Sequence, residues 1–227
     1  MPVAGRASVS GGVPARAYVA MAAVYEHMFD LQRGPNLPGM LERLAVMARS
    51  AIAPLVRQAE VADAAAIATS HVRSWQAGYA NVISSEFLRS LGMGLPLRTL
   101  HWQTLILGAE AQGEFMLVGE VDGEVAGWLS GGAYRDAGSD ESPLGEVYAC
   151  YVDPTHWRQG VGSALMADAL ERLTRAGYPQ AVLWVLADNL RARAFYEHLG
   201  WLADGARKMY EVGGERHPEV RYRRRLS

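Results

Sequence analysis

The pattern of apolar and polar positions changes near residue 54. Upstream of that point a cluster of breakers, Gly34–Gly39, interrupts the chain, and only Ala17–Asp30 has a helical pattern. We therefore predict an N-terminal extension over residues 1–54. This extension is either disordered, a helix docked on the fold, or the product of an overextended start, since Met40 and Met47 could each begin the chain.

From residue 55 to residue 227 the pattern predicts one domain, an α/β fold with a mixed, mainly antiparallel sheet and flanking helices. Asp122-Gly123 favours a type I′ turn and therefore a hairpin. A helix between two buried strands predicts a central βαβ crossover. The expected strands are Leu55–Ala59, Glu114–Val121, Glu124–Ser130, Glu146–Val152, Ala181–Leu186 and Glu219–Leu226. The expected helices are one capped by Asp63, Ser85–Leu91, Leu97–Leu107, one from Val161 that ends at Gly177, and Asn189–His198.

Composition excludes several classes of protein. The net charge is −2, so no overall basic field attracts nucleic acid or an anionic membrane, and the basic run Arg221–Arg225 is expected to be a solvated strand edge. No apolar run is long enough for a spanning helix, and no signal peptide is apparent. A single cysteine, Cys150, excludes an intrachain disulfide and fits a cytoplasmic location. The histidines show no metal-ligand spacing, so we expect no metal.

A glycine-rich turn follows the predicted strand Glu146–Val152 and opens the next helix. The first amides of a helix have no intrahelical partner and lie at the positive end of its dipole, so they bind phosphate without a dedicated lysine. Glycines at such a turn let a ligand approach the backbone. The turn consists of Arg158, Gln159, Gly160, Val161, Gly162 and Ser163.

Two other phosphate motifs do not fit this turn. The dinucleotide fingerprint would need a small residue at Leu165 and an acid near Gln180. The P-loop motif does not occur, and Lys208 is the single lysine of the chain.

The run from Glu146 to Leu165 resembles the cofactor-binding motif of the GNAT acetyltransferase superfamily. A second run, Asn189–Trp201, is similar to the family pattern N-x-x-A-x-x-x-Y-x-x-x-G-[FW], and the run His71–Tyr79 resembles the first helix of one bacterial subgroup. One departure is Trp157, which stands where the family often has Arg or Gln. The resemblance spans about residues 55–226.

The resemblance implies a GNAT-like fold and acetyl-CoA as co-substrate. It implies that the strand before the turn separates from the next strand. Main-chain groups of Cys150, Tyr151 and Val152 would then hold the pantetheine arm and the acyl carbonyl, and Asn189 would cap its helix and contact the cofactor. A main-chain amide aimed at the thioester oxygen would stabilise the developing negative charge.

By the same resemblance Tyr196 is the candidate general acid that protonates the departing thiolate; the alternative is a tyrosine that only packs its helix against the sheet. The strand position where some relatives carry a glutamate is Trp184 here. Glu146 is therefore our candidate general base, with a solvated strand-end carboxylate as the alternative. No second carboxylate competes clearly with it.

Trp75 and Tyr79, one turn apart, are candidate walls of the acceptor pocket, although core packing is the favoured alternative for Trp75. His71 is expected to be a packing histidine with satisfied hydrogen bonds rather than a base. The expected partner is a small-molecule amine or a peptide, and apolar residues in Leu97–Leu107 leave room for a homodimer. The competing interpretation is a non-catalytic acyl-CoA-binding module.

Overall fold

A computed structural model describes residues 53–136 and 143–226. The predicted helix Ala17–Asp30 and most of the N-terminal extension lie outside the described residues. Within them the chain forms a seven-stranded sheet in the order β1-β2-β3-β4-β5-β7-β6. Only β4 and β5 pair in parallel, and the helix α4 connects them, so the mainly antiparallel sheet with a central βαβ crossover is confirmed.

The strands and helices largely follow the predicted boundaries. Short 3₁₀ turns occur at Val61–Asp63, Leu91–Gly94, Glu110–Gln112 and Pro154–His156. The strands are β1 Leu55–Gln58, β2 Phe115–Val121, β3 Glu124–Ala133, β4 Leu144–Val152, β5 Gln180–Leu186, β6 Leu202–Val212 and β7 Glu215–Arg225. The helices are α1 Ala64–Gly78, α2 Ser85–Ser90, α3 Leu95–Ala109, α4 Val161–Arg175 and α5 Leu190–His198.

The predicted hairpin between β2 and β3 is confirmed, with Asp122 at φ 53° and Gly123 at φ 82°, as a type I′ turn requires. Asp63 does precede α1, but its carboxylate makes no cap hydrogen bond to that helix. It instead binds the Arg57 guanidinium at 2.7 Å and the Glu60 amide at 2.7 Å.

Two boundaries were wrong. The strand predicted to end at Ser130 continues as β3 to Ala133. The predicted last strand is only part of β7, which starts at Glu215 and pairs with β6, a strand that the sequence analysis missed entirely. β6 lies at the sheet edge and is mostly exposed, so it lacks the alternation of apolar residues that marks a half-buried strand.

The sheet buries a cluster of apolar side chains on each face. On one face α4 packs through Val161, Leu165, Met166, Ala169 and Leu173, all of them buried. On the other face α1 and α3 cover Trp128 and Val118. Burial of such apolar surface is the main stabilising contribution to a fold of this size.

A β-bulge shapes the middle of the sheet. Ser130 pairs with Ala149 but Gly131 pairs with Val147, so Tyr148 is the extra residue on β4. The parallel pairing of β4 with β5 ends at the same level, at Val147 and Leu183. Beyond the bulge the two strands separate and leave a gap between them.

None of the helices in residues 53–136 and 143–226 is both long and apolar enough to cross a membrane.

Candidate active site

The gap between β4 and β5 opens into a cavity of about 910 Å³. One end is lined by the start of α4 and by α5, and the other by α1 and by the hairpin of β6 and β7. A single cavity therefore connects the predicted phosphate-binding turn with the predicted acceptor pocket.

The start of α4 presents unpaired amides to this cavity. The first hydrogen bond of the helix runs from the Ala164 N–H to the Gly160 carbonyl at 3.0 Å, and no side chain caps the helix. Val161, Gly162 and Ser163 therefore have amides without an intrahelical acceptor. Gly160 adopts a left-handed conformation, with φ 83°, that favours glycine and turns the chain into the helix.

Of the other predicted cofactor-binding residues in this region, two line the cavity and one does not. Arg158 lines the cavity and is left-handed, with φ 65°. The Gln159 side chain donates back to the Thr155 carbonyl at 3.1 Å and does not line the cavity. Asn189 lines the cavity and caps α5, accepting from the Ala192 N–H at 3.1 Å, as predicted.

Trp157, the departure from the family pattern, forms part of a cation–aromatic stack. The Arg191 guanidinium carbon lies 3.4 Å from the centre of its indole ring, and both residues line the cavity. The indole N–H donates to the Val152 carbonyl at 2.8 Å, which fixes the ring. Arg191 therefore brings a positive charge to the rim next to the phosphate-binding turn.

The main chain of β4 faces the gap through alternate residues. The Asp153 N–H donates to the Ala126 carbonyl, so the main-chain groups of Asp153 point toward β3. Because this direction alternates along a strand, the main-chain groups of Tyr151 point toward β3 as well, and those of Cys150 and Val152 point into the gap. The Val152 carbonyl already accepts from the Ser74 hydroxyl at 2.9 Å. The groups that remain for a ligand are the two amides and the Cys150 carbonyl.

Tyr196 lies on α5 with its ring packed among Phe195, Trp201 and Tyr222. Burial raises the pKa of its phenol well above 10, and the nearby Cys150 and Tyr79 raise it further. The residue lines the cavity, and its hydroxyl has no hydrogen-bond partner among residues 53–136 and 143–226. The ring thus packs in the core while the hydroxyl remains available to a ligand.

Glu146 is buried, with 2% of its surface exposed, so the alternative of a solvated strand-end carboxylate is wrong. Three donors of one residue hold it: the Arg135 amide at 3.0 Å, Nε at 3.3 Å and Nη2 at 3.0 Å. It lines the cavity, but its charge is compensated. The role of Glu146 as general base stays a prediction, and this pairing weighs against it because both carboxylate oxygens already accept hydrogen bonds from Arg135.

The predicted acceptor walls both line the cavity. Trp75 is buried and packs against Tyr79 with ring centres 4.9 Å apart, so core packing and lining are compatible roles. The Tyr79 hydroxyl lies 3.4 Å from the Tyr151 hydroxyl. His71 packs among aromatic rings, and the centres of the His71 and Tyr151 rings are 5.2 Å apart. Burial lowers the pKa of His71 to about 4, so this side chain is neutral at pH 7.

Cys150 packs against the α4 cluster, and burial raises the pKa of its thiol to about 12. A thiol held in this way is a poor nucleophile, since the thiolate is the reactive form. Among the described residues no group of three or more His, Cys, Asp or Glu side chains could hold a metal ion.

Sequence reasoning missed a charged group at the acceptor end of the cavity. Lys208 and Tyr210 of β6 and Glu219 of β7 all line it. The sequence analysis noted Lys208 as the single lysine, but it did not predict β6 and so could not assign Lys208 to a strand or to the cavity. Arg221 corrects another expectation: it is 8% exposed and donates to Asp204 at 2.7 Å, so this part of the basic run is not a solvated edge.

The family model of the acetyltransferase (GNAT) family matches residues 75–201, which include the turn at α4 and the tyrosine of α5. The chain belongs to the GNAT acetyltransferase family. The uncharacterized N-acetyltransferase YuaI of Bacillus subtilis is 32% identical over 134 residues, which cover 59% of this chain and 72% of YuaI.

Other GNAT relatives match over shorter segments. The mycothiol acetyltransferase of Acidothermus cellulolyticus is 38% identical over 115 residues, which cover 49% of this chain and 34% of that protein. This chain therefore spans only about a third of the mycothiol acetyltransferase it matches there. The activity of the mycothiol acetyltransferases is therefore not assigned to this chain.

Solved GNAT structures share the fold at low sequence identity. The PaiA N-acetyltransferase of Thermoplasma acidophilum, in complex with coenzyme A, has a TM-score of 0.58 and 16% identity, over 77% of this chain and 99% of that chain. YncA, a putative acetyltransferase from Salmonella typhimurium with its cofactor acetyl-CoA, has a TM-score of 0.56 and 20% identity, over 78% and 95% of the two chains.

Proposed function

We propose that this GNAT protein transfers an acetyl group from acetyl-CoA to a primary amine of a small molecule or peptide by direct attack of the amine on the thioester. The observation that carries the proposal is the single cavity. It joins the unpaired amides of α4, the gap beside β4 and the Tyr196 hydroxyl, which has no hydrogen-bond partner in the part of the chain that the structure describes.

The residues at the α4 end fit the diphosphate of coenzyme A. The amides of Val161, Gly162 and Ser163 can donate to phosphate oxygens, and the helix dipole favours their negative charge. Arg158 and the Arg191–Trp157 stack add positive charge at the same rim. A Cβ at Gly162 would lie 3.1 Å from the Phe195 ring, so glycine lets the start of α4 pack closely against α5 at this rim.

In the gap, the Cys150 main chain and the Val152 amide are the groups that can bind the pantetheine arm and the thioester oxygen. An amide fixed in place stabilises negative charge on that oxygen without reorganising, which is the usual largest contribution to acyl transfer. Tyr196 is the proposed proton donor to the departing sulfur, and the proton that the attacking amine loses returns through solvent to the resulting phenolate. Its raised pKa keeps the phenol protonated, as a donor requires.

The second candidate function is a non-catalytic acyl-CoA-binding module, and the observation in its favour is the Glu146 pairing with Arg135. Release of thiol from acetyl-CoA, measured over a panel of primary amines and peptides, separates the two. Acceptor-dependent release supports the transferase. Coenzyme A binding by calorimetry without release for any acceptor would establish the binding module instead.

A further inference from the structure

Two carboxylates at the acceptor end of the cavity form ion pairs, and a third, that of Glu219, does not do so with any described residue. Arg135 holds Glu146 at 3.0 Å, and Lys208 binds Asp136 at 2.9 Å. Glu219 lines the same space but has no hydrogen bond or ion pair with any of the residues described. Within residues 53–136 and 143–226, therefore, no cationic side chain pairs directly with this carboxylate.

Glu219 has no partner among the described residues because its cross-strand neighbour Lys208 pairs elsewhere. It lies opposite Leu186 of β5 on one side and Lys208 of β6 on the other. Lys208 extends away from it to Asp136 and passes over the Trp184 ring, 4.3 Å from the ring centre. The Lys208 ammonium group thus packs against the Trp184 ring and binds Asp136, not Glu219.

Burial raises the pKa of Glu219, and Asp136 and Glu146 act in the same direction, while Lys208 and Arg135 oppose them. Tyr210 and His217 lie on the same face of the hairpin. A half-buried carboxylate without a partner is costly, and a bound cation removes that cost. Aromatic side chains also line this end of the cavity and can cover the carbon skeleton of a ligand and stabilise its charge; these are Trp75, Tyr79, Trp184 and Tyr210.

We infer that Glu219 binds the ammonium group of the acceptor, and that the acceptor is a primary amine carried on an apolar or aromatic group. The inference rests on the proposed function, because the bound amine is an acetyl acceptor only if the protein transfers acetyl groups. It assigns to β7 a specificity-determining residue that sequence reasoning did not find, and it gives Glu146 a different task, that of holding Arg135.

Binding of 2-phenylethylammonium and of its neutral isostere 2-phenylethanol tests the inference, with tryptophan fluorescence or calorimetry as readout. The wild-type protein should prefer the ammonium by about tenfold or more, as expected for a charge-assisted hydrogen bond. Glu219→Gln should reduce this preference to less than about twofold. Glu211→Gln, on the exposed face of the same hairpin, is the matched control and should keep it.

The inference is overturned if Glu219→Gln retains the preference, or if the wild-type protein binds neither probe or does not distinguish them. With an acceptor found by thiol release, Glu219→Gln should raise KM for the amine and leave KM for acetyl-CoA unchanged. Ammonium preference without any acetyl transfer would refute the proposed function while leaving the binding site in place.

Discussion

The substitution Tyr196→Phe removes only the hydroxyl that we propose as proton donor. The ring contacts to Phe195, Trp201 and Tyr222 are made by carbon atoms that phenylalanine keeps. The hydroxyl has no hydrogen-bond partner in the described ranges, so no buried donor or acceptor of the protein loses a partner. The free energy of unfolding should therefore change by less than about 1 kcal/mol.

The effect on turnover should be much larger than the effect on stability. General acid catalysis typically contributes about 10²- to 10⁴-fold, which corresponds to roughly 3 to 5 kcal/mol of transition-state stabilisation. We expect kcat to fall within that range and the affinity for acetyl-CoA to stay nearly unchanged, since the thiolate exists only late in the reaction. Because the pKa of Tyr196 is well above 10, wild-type activity should not decline toward about pH 9 through loss of this proton.

The assay combines steady-state thiol release, calorimetry with acetyl-CoA and thermal melting of the same preparations. Tyr178→Phe is the matched control, because Tyr178 packs against the same apolar cluster but does not line the cavity. A fall in kcat of only a few-fold for Tyr196→Phe would refute the catalytic role and leave Tyr196 as a packing residue. A large loss of stability would contradict the packing argument.

Three further predictions concern the cofactor, the pH dependence of stability and the N-terminal extension. Gly162→Asp should weaken coenzyme A binding by calorimetry at least about tenfold, through charge repulsion and a Cβ 3.1 Å from Phe195, and Gly162→Ala isolates the steric part; unchanged affinity for Gly162→Asp would contradict the phosphate assignment. His71 has a pKa lowered from 6.5 to about 4, so the unfolded chain binds more protons between these values and stability falls as the pH drops through them. Urea melts should show His71→Phe losing less stability than wild type between about pH 7 and pH 5, by at most about 2 kcal/mol, and equal slopes would contradict the shift. A chain that starts at Met47 should remain soluble and melt cooperatively, and aggregation of that chain would show that the extension is needed for folding.

The sequence predicted those features that depend on neighbours along the chain. The glycine-rich turn at Gly160, the Asn189 cap and the Asp122-Gly123 hairpin each depend on local backbone chemistry, which residue type reveals. The gap between β4 and β5 was expected only through the family resemblance, because the bulge at Tyr148 depends on pairing with a distant strand.

What sequence reasoning missed depends on contacts between distant segments. The Arg135–Glu146 pair joins residues on either side of the hairpin from β3 to β4, and nothing in residue spacing indicates it. Lys208 and Glu219 were not placed because β6, an exposed edge strand, carries no apolar alternation. A carboxylate is identified as unpaired only after every possible partner has been located.

The gap beside β4 also has a consequence for the lifetime of the protein. A ligand that fills the gap restores contacts that the separated strands do not make with each other, so it becomes part of the folded structure. Ligand at about 100 times its dissociation constant adds roughly 2.7 kcal/mol to stability, which lowers the population of protease-sensitive open forms about a hundredfold. Under the proposed function, the abundance of this enzyme would therefore follow the acetyl-CoA supply of the cell without any dedicated regulator.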